Sequence, residues 1–127
     1  MLASATLQTI VCTSRLSEAE RFYGGVLGLP LIGRSHGALV YRVGEAALRV
    51  SPVPSVQPSE HTVIGFAVED FASVFEGLSQ RGVEWVRFPG FPHDERGAVL
   101  LPDGTRVAWL RDPDGNLLSV VQYGSAG

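Results

Sequence analysis

The feature that most constrains this chain is a weak internal repeat, in which a strand, a helix and further strands occur twice in the same order. Leu7 to Thr13 (LQTIVCT) is β-rich and free of breakers, which predicts a strand. Ser14 or Ser17 then offers a helix N-cap, with Glu18 and Glu20 in the first turn, where the helix dipole favours acids. Leu16, Ala19, Tyr23, Val26 and Leu27 follow at helical spacing, and Gly28 stands where a terminating glycine belongs. The second half repeats this. Thr62 to Val68 predicts a strand, Asp70 an N-cap, and Phe71, Val74, Phe75 and Leu78 an apolar helical stripe ended by Gly82.

After each helix the halves correspond again, Leu29–Pro30–Leu31 matching Val83–Glu84–Trp85. Further strands are expected at Ala38–Val43 and Ala46–Val50, hinged at Gly44–Glu45. In the second half they are expected at Ala98–Leu101, Arg106–Arg111 and Leu117–Gln122, with turns at Pro102–Asp103–Gly104 and at Asp112 to Asn116. Ser51–Glu60, rich in Pro and Ser, reads as the linker. The expected fold is α+β: two βαβββ repeats, about 5–52 and 60–123, form curved mixed sheets around a cavity with helices on the outer face. At 127 residues, the chain is expected to be one domain over 1–127.

Strand alternation divides the faces. Gln8, Ile10 and Cys12 share one side of the first strand. Ile64, Phe66 and Val68 make the greasier stripe of the second repeat's first strand, so His61 and Val63 are expected to face the cavity.

Composition excludes several classes. The formal charge is −3, and the ten basic residues are scattered arginines, which argues against nucleic acid as a partner. No apolar run reaches bilayer length, and Met1–Thr6 has no secretory character, so no membrane association is expected and the cytoplasm is the default compartment. A single cysteine forms no internal disulfide.

With these elements in place, the chain resembles the vicinal oxygen chelate superfamily of glyoxalases, bleomycin-resistance proteins and extradiol dioxygenases. The resemblance rests on Arg21–Phe22–Tyr23 with Leu27–Gly28–Leu29, on Gln80–Arg81–Gly82–Val83, and on Val107 to Asn116 with its Arg111–Asp112–Pro113–Asp114–Gly115–Asn116 turn. It covers nearly the whole chain. Metal-using members place ligands on the first and last strand of each repeat, where His and carboxylates converge on one divalent ion. Those positions fall here at Gln8, Arg49 (or Leu48 with a one-residue slip), Val63 and Ser119. Valine cannot ligate, serine is weak, and a guanidinium repels a cation. No metal ligand is therefore assigned and no cofactor is expected, although a shifted divalent-metal site involving His61 stays open.

Other side chains carry competing readings. Arg49, Gln8, His61, Trp109 and Ser119 are the candidate ligand contacts, Arg49 for an anionic group through its planar fork. Trp109 either walls the cavity or packs in the core. Cys12 is read as a buried structural thiol, His93–Asp94–Glu95 as a solvated turn, and His36 as a turn residue. Phe88–Pro89–Gly90–Phe91–Pro92 is a lid, a partner contact or an ordinary loop. The two carboxylates of Asp112–Asn116 read as turn chemistry rather than an acid/base pair. The leading functional expectation is a metal-free cavity for a small organic molecule, in a protein the resemblance makes a homodimer. The alternative is a metal-dependent lyase, isomerase or dioxygenase of the glyoxalase class with a non-standard ligand set.

Overall fold

A computed structural model describes residues 1–124. The chain forms two compact units, Met1–Gln57 and Pro58–Gly127, that meet inside the expected linker. In the first unit β1 (Thr9–Thr13) leads into α1 (Leu16–Glu20), then β2 (Leu31–Ser35), β3 (Ala38–Val43) and β4 (Ala46–Pro52). In the second, β5 (Thr62–Ala67) leads into α2 (Phe71–Gln80), then β6 (Val99–Leu100), β7 (Arg106–Arg111) and β8 (Leu117–Gln122). The strand orders are β1-β4-β3-β2 and β5-β8-β7-β6, so both halves share one topology. In each sheet the first strand runs parallel to the last and the remaining pairs are antiparallel. This is the α+β plan of two βαβββ repeats that the sequence implies.

Alternation sorts each sheet into a helix-covered face and an open one. In the first unit Val11, Thr13, Leu39, Tyr41, Leu48 and Val50 are buried, together with Ala19 and Tyr23 of the helical segment. In the second, Ile64, Ala108, Leu110, Leu118 and Val120 are buried with Phe71, Phe75 and Leu78 of α2. Each fully buried aliphatic side chain contributes about 1.5–3 kcal/mol relative to exposure. No described helix is long and apolar enough to cross a membrane.

The helix starts differ. Asp70 caps α2 as expected, accepting from the Ser73 N–H at 3.1 Å. The first helix uses neither Ser14 nor Ser17. Its N-cap position is Arg15, without a side-chain cap, and the Arg15 N–H is taken by Thr13 Oγ1 at 3.0 Å. The expected helix through Leu27 is also not uniform, because Arg21–Val26 winds as a π-helix. Gly24 and Gly25 weaken the α-helix there, and a Cβ on Gly24 would stand 3.6 Å from the Tyr41 ring, which packs under this turn. Gly28 (φ 73°) and Gly82 (φ 90°) end the two segments in the left-handed conformation expected of them.

The strands after the helices depart from expectation in both halves. In the first, β2 is a full edge strand with every residue exposed and a register shift between Leu31 and Gly33. In the second, the matching segment makes only an isolated bridge, Val86 to Trp109. Beyond it the chain from Arg87 to Gly97 folds back and is tied to α2. Arg96 donates to Glu76 at 2.5 Å and lies over the Phe75 ring, 5.2 Å from its centroid.

That tie has a pH signature. The hydrogen bond and charge of Arg96 hold the Glu76 carboxyl below its ordinary value. Because the folded-state value is the lower one, the tie contributes above the ordinary glutamate range and is lost as pH falls through the lowered value. A carboxyl-carbon NMR titration should put the Glu76 midpoint below that of the same residue in Arg96→Gln, and coincident midpoints would deny the tie in solution.

Candidate functional site

The open face of the second sheet is built around one cross-strand pair, Trp109 of β7 opposite Ser119 of β8. Ser119 is in turn level with Gly65 of β5, and a Cβ on Gly65 would come 3.2 Å from Ser119 Oγ. The glycine thus leaves the hydroxyl unobstructed. Ser119 is buried, only 9% exposed, whereas Trp109 is half-buried.

The Arg87–Gly97 loop completes this face with aromatic rings. Phe88 meets Trp109 edge-on at 5.2 Å between centroids, Phe91 lies at 5.2 Å from it, and the His93 ring at 6.1 Å. Phe88 and Phe91 are themselves 6.4 Å apart. Offset and edge-on rings at these separations attract through their quadrupoles, adding about 0.5–1.5 kcal/mol per pair beyond burial. Phe91 is 46% exposed, so the wall it makes with Trp109 and Phe88 is accessible.

Polar contacts hold the loop in this shape. His93 Nε2 accepts the Phe88 N–H at 2.9 Å, and its Nδ1 lies 2.8 Å from the Gly97 carbonyl oxygen. A carbonyl only accepts and an N–H only donates, so the network assigns the neutral imidazole with its proton on Nδ1. Asp94 Oδ1 accepts the N–H groups of Arg96, Gly97 and Ala98 at 2.9–3.0 Å. Arg87 donates to the carbonyls of Asp94 and Glu95 at 3.0 and 2.6 Å. The reading of His93–Asp94–Glu95 as a solvated turn holds for Asp94 and Glu95, which are exposed, and is corrected for His93. His93 is half-buried, and both its nitrogens are committed to main chain, which leaves no ring lone pair for a metal.

The open face of the first sheet is more polar. Ile10 pairs with Arg49 across β1 and β4, which places Gln8, Ile10, Cys12 and Arg49 on one side. Gln8 is exposed at the approach to β1. Arg49 reaches over β3 to the edge strand and donates to Ser35 Oγ at 3.0 Å and to the Ser35 carbonyl at 2.8 Å. Cys12 is exposed rather than buried, a second correction. The reason is the strand period: Val11 and Thr13 take the covered face and turn the thiol outward.

His61 is exposed and precedes β5, on the far side of a register shift between Thr62 and Ile64. The shift interrupts strict alternation, so the count that groups His61 with Val63 and Gly65 is broken at that point. Val63 is 40% exposed. His36 sits in the left-handed region at φ 52°, as a turn residue does.

Gln8, Arg49, Val63 and Ser119 do not fit a divalent cation. They offer one amide oxygen, one hydroxyl and a guanidinium, with no imidazole or carboxylate. Among the described residues, no three His, Cys, Asp or Glu side chains are grouped as a metal ion requires.

The Asp112–Asn116 turn is structural, as its composition implies. Asp112 is buried, and its Oδ1 accepts the N–H groups of Asp114 and Asn116 at 2.9 Å each. Its Oδ2 accepts from Asn116 Nδ2 at 2.8 Å.

Comparison with known proteins agrees with the geometry. A family model described as the Glyoxalase/Bleomycin resistance protein/Dioxygenase superfamily matches residues 6–120. No curated protein matches the chain. Among solved structures, the chain is similar to a bleomycin-binding protein complexed with bleomycin, at TM-score 0.70 and 21% identity over 94% of this chain and 98% of that one. It is similar to the oxidase ChaP-H2 (TM-score 0.73, 22% identity, 98% and 99% covered). A lactoylglutathione lyase from Agrobacterium tumefaciens is also similar, at TM-score 0.70 and 20% identity with 96% of each chain covered. At such identities these structures carry the fold and nothing finer.

Proposed function

The chain belongs to the glyoxalase/bleomycin resistance protein/dioxygenase superfamily, and from that premise we propose that it binds a small organic molecule without a metal. The observation that carries this reading is the accessible aromatic wall of Trp109, Phe88 and Phe91 beside Ser119 and Gly65 on the second unit's open face. Rings offer large contact area at low entropic cost, and the Ser119 hydroxyl fixes orientation, a combination that suits a flat, largely apolar ligand. The donor-poor ligand slots support the metal-free part of the proposal. On the first unit, Gln8 and Arg49 are proposed as polar contacts, with Ser35 holding the guanidinium in place. His61 is retained as a contact at the start of β5.

Bleomycin, held by one of the similar structures, is the first probe. Native mass spectrometry of the protein dialysed first against chelator and then against nickel, zinc, iron and manganese should show no stoichiometric ion, and a separate chelator-treated sample mixed with metal-free bleomycin should show a one-to-one adduct. A retained ion on which binding depends would replace this reading with metal chemistry. Arg49→Met should leave the melting temperature within about 2 °C, since a half-exposed surface pairing contributes little. The same substitution should weaken any acidic ligand at least tenfold, and undiminished binding would remove Arg49 from the site.

We propose too that the protein is a cytoplasmic homodimer. Supporting this, β1 is an edge strand whose open side carries Ile10, 55% exposed, with Leu7, 88% exposed, on its approach. Light scattering at micromolar concentration should give twice the chain mass, and a monomer mass would end the dimer proposal.

A further inference from the structure

The second unit has a pocket of about 450 Å³ on the face of its sheet opposite Trp109. This volume falls in the range of small-molecule sites, about 300–1,000 Å³. Its floor is Phe71 and Phe75 of α2, stacked at 5.4 Å, with Phe75 continuing the stack onto Trp85 at 4.5 Å. Ala72, Pro92 and Ala98 add apolar lining. Leu100 of β6 stands at the rim, 58% exposed. Leu100 pairs with Arg106 of β7, which puts that arginine on the same side of the sheet and into the pocket lining.

The four charged residues of the lining are not equivalent. Glu76 and Arg96 neutralise each other at 2.5 Å. Asp94 spends Oδ1 on three main-chain N–H groups of its own loop. Arg106 makes no side-chain hydrogen bond or ion pair among the described residues. The pocket thus presents an apolar lining above two buried rings and a guanidinium with no side-chain partner among the described residues. A guanidinium pairs bidentately with a carboxylate, and an apolar lining receives a flat apolar body.

We infer that this outer pocket is a second binding site, for a small aryl carboxylate whose acid group meets Arg106 and whose ring packs against Ala72, Ala98 and Leu100, above the buried Phe71 and Phe75. The site is separate from the open-face wall and does not depend on the function proposed for it.

The probes are 4-phenylbutyrate and its uncharged amide, titrated into the full chain in low-salt buffer with chemical shifts followed by NMR. The acid is expected to bind at least tenfold more tightly than the amide and to shift the resonances of Ala72, Ala98 and Leu100. Arg106→Gln, an exposed change, should bring acid and amide to equal affinity without altering the melt. Ala72→Trp, which fills the pocket from the helix surface, should remove binding of both. Trp109→Phe should leave the binding intact, since that ring lies on the other face. No binding of the acid, equal affinity for acid and amide in the unaltered chain, or an acid preference that survives Arg106→Gln would each overturn the proposal.

Discussion

Replacing Asp112 with alanine is expected to lower the unfolding free energy by about 3–4 kcal/mol, because at least three donors lose a buried acceptor at once. Hydrogen bonds to charged groups contribute about 1.5–3 kcal/mol each, and a buried donor left unsatisfied costs about 1–3 kcal/mol. Three such donors are the N–H groups of Asp114 and Asn116 and the Asn116 side-chain amide, all 2.8–2.9 Å from the carboxylate. For a chain of this size, the melting temperature should fall by about 10–15 °C. Asp112→Asn separates the contributions. It keeps one acceptor oxygen but turns an NH2 towards Asn116 Nδ2, so roughly half the loss is expected. Thermal melts of both variants against the unaltered chain check this, and a melt within about 2 °C for alanine would show that the turn holds without the carboxylate.

The second large effect concerns ligand binding. Trp109→Ala removes the ring that Phe88, Phe91 and His93 all face. Truncating a packed tryptophan costs about 3 kcal/mol of stability, here reduced because the residue is half-buried. For the ligand a loss of at least tenfold in affinity is expected, for whatever aromatic molecule occupies the open face. Trp109→Phe keeps a ring in the cluster and should recover most of the stability but only part of the affinity. Isothermal titration with bleomycin, alongside a melt of each variant, distinguishes the two losses. If Trp109→Ala binds as tightly as the unaltered chain while melting lower, the ring is core packing and the open-face site lies elsewhere.

These two residues mark the limits of what the sequence discloses. Asp112 is legible because its partners lie within four positions, and Asp-Pro-Asp-Gly-Asn leaves the chain few other conformations. The same local logic makes β3, β7 and β8 readable to their end residues, since each is a β-rich run that follows a glycine turn. Strand β2 escapes such a reading. Leu31–Ser35 is exposed throughout and carries a bulge, so its apolar residues follow no two-residue period. The Trp109 wall escapes it for another reason. Phe88 and Phe91 bracket Pro89–Gly90 like any loop, and only their packing against a strand some twenty residues onward makes them part of a site. Arg49 is similar: its partner Ser35 lies fourteen residues back and across β3, beyond any local pattern. The outer pocket rests on Leu100 and Arg106 sharing a side of the sheet, which depends on the register of β6 against β7.

The strand orders β1-β4-β3-β2 and β5-β8-β7-β6 impose an order of events on synthesis. In each unit the strand translated last is inserted between two made earlier. Until β4 leaves the ribosome, β1 has no neighbour and β2–β3 is an isolated hairpin, and the same holds for β5 until β8 emerges. An isolated hairpin is marginal in water, so neither unit can settle by stages from its N-terminal end. Each must instead wait unpaired and then close in one cooperative step. A nascent chain stalled before Leu117 should accordingly hold a protease-resistant first unit and a fully cleavable second one, whereas release past Gln122 protects the second as well.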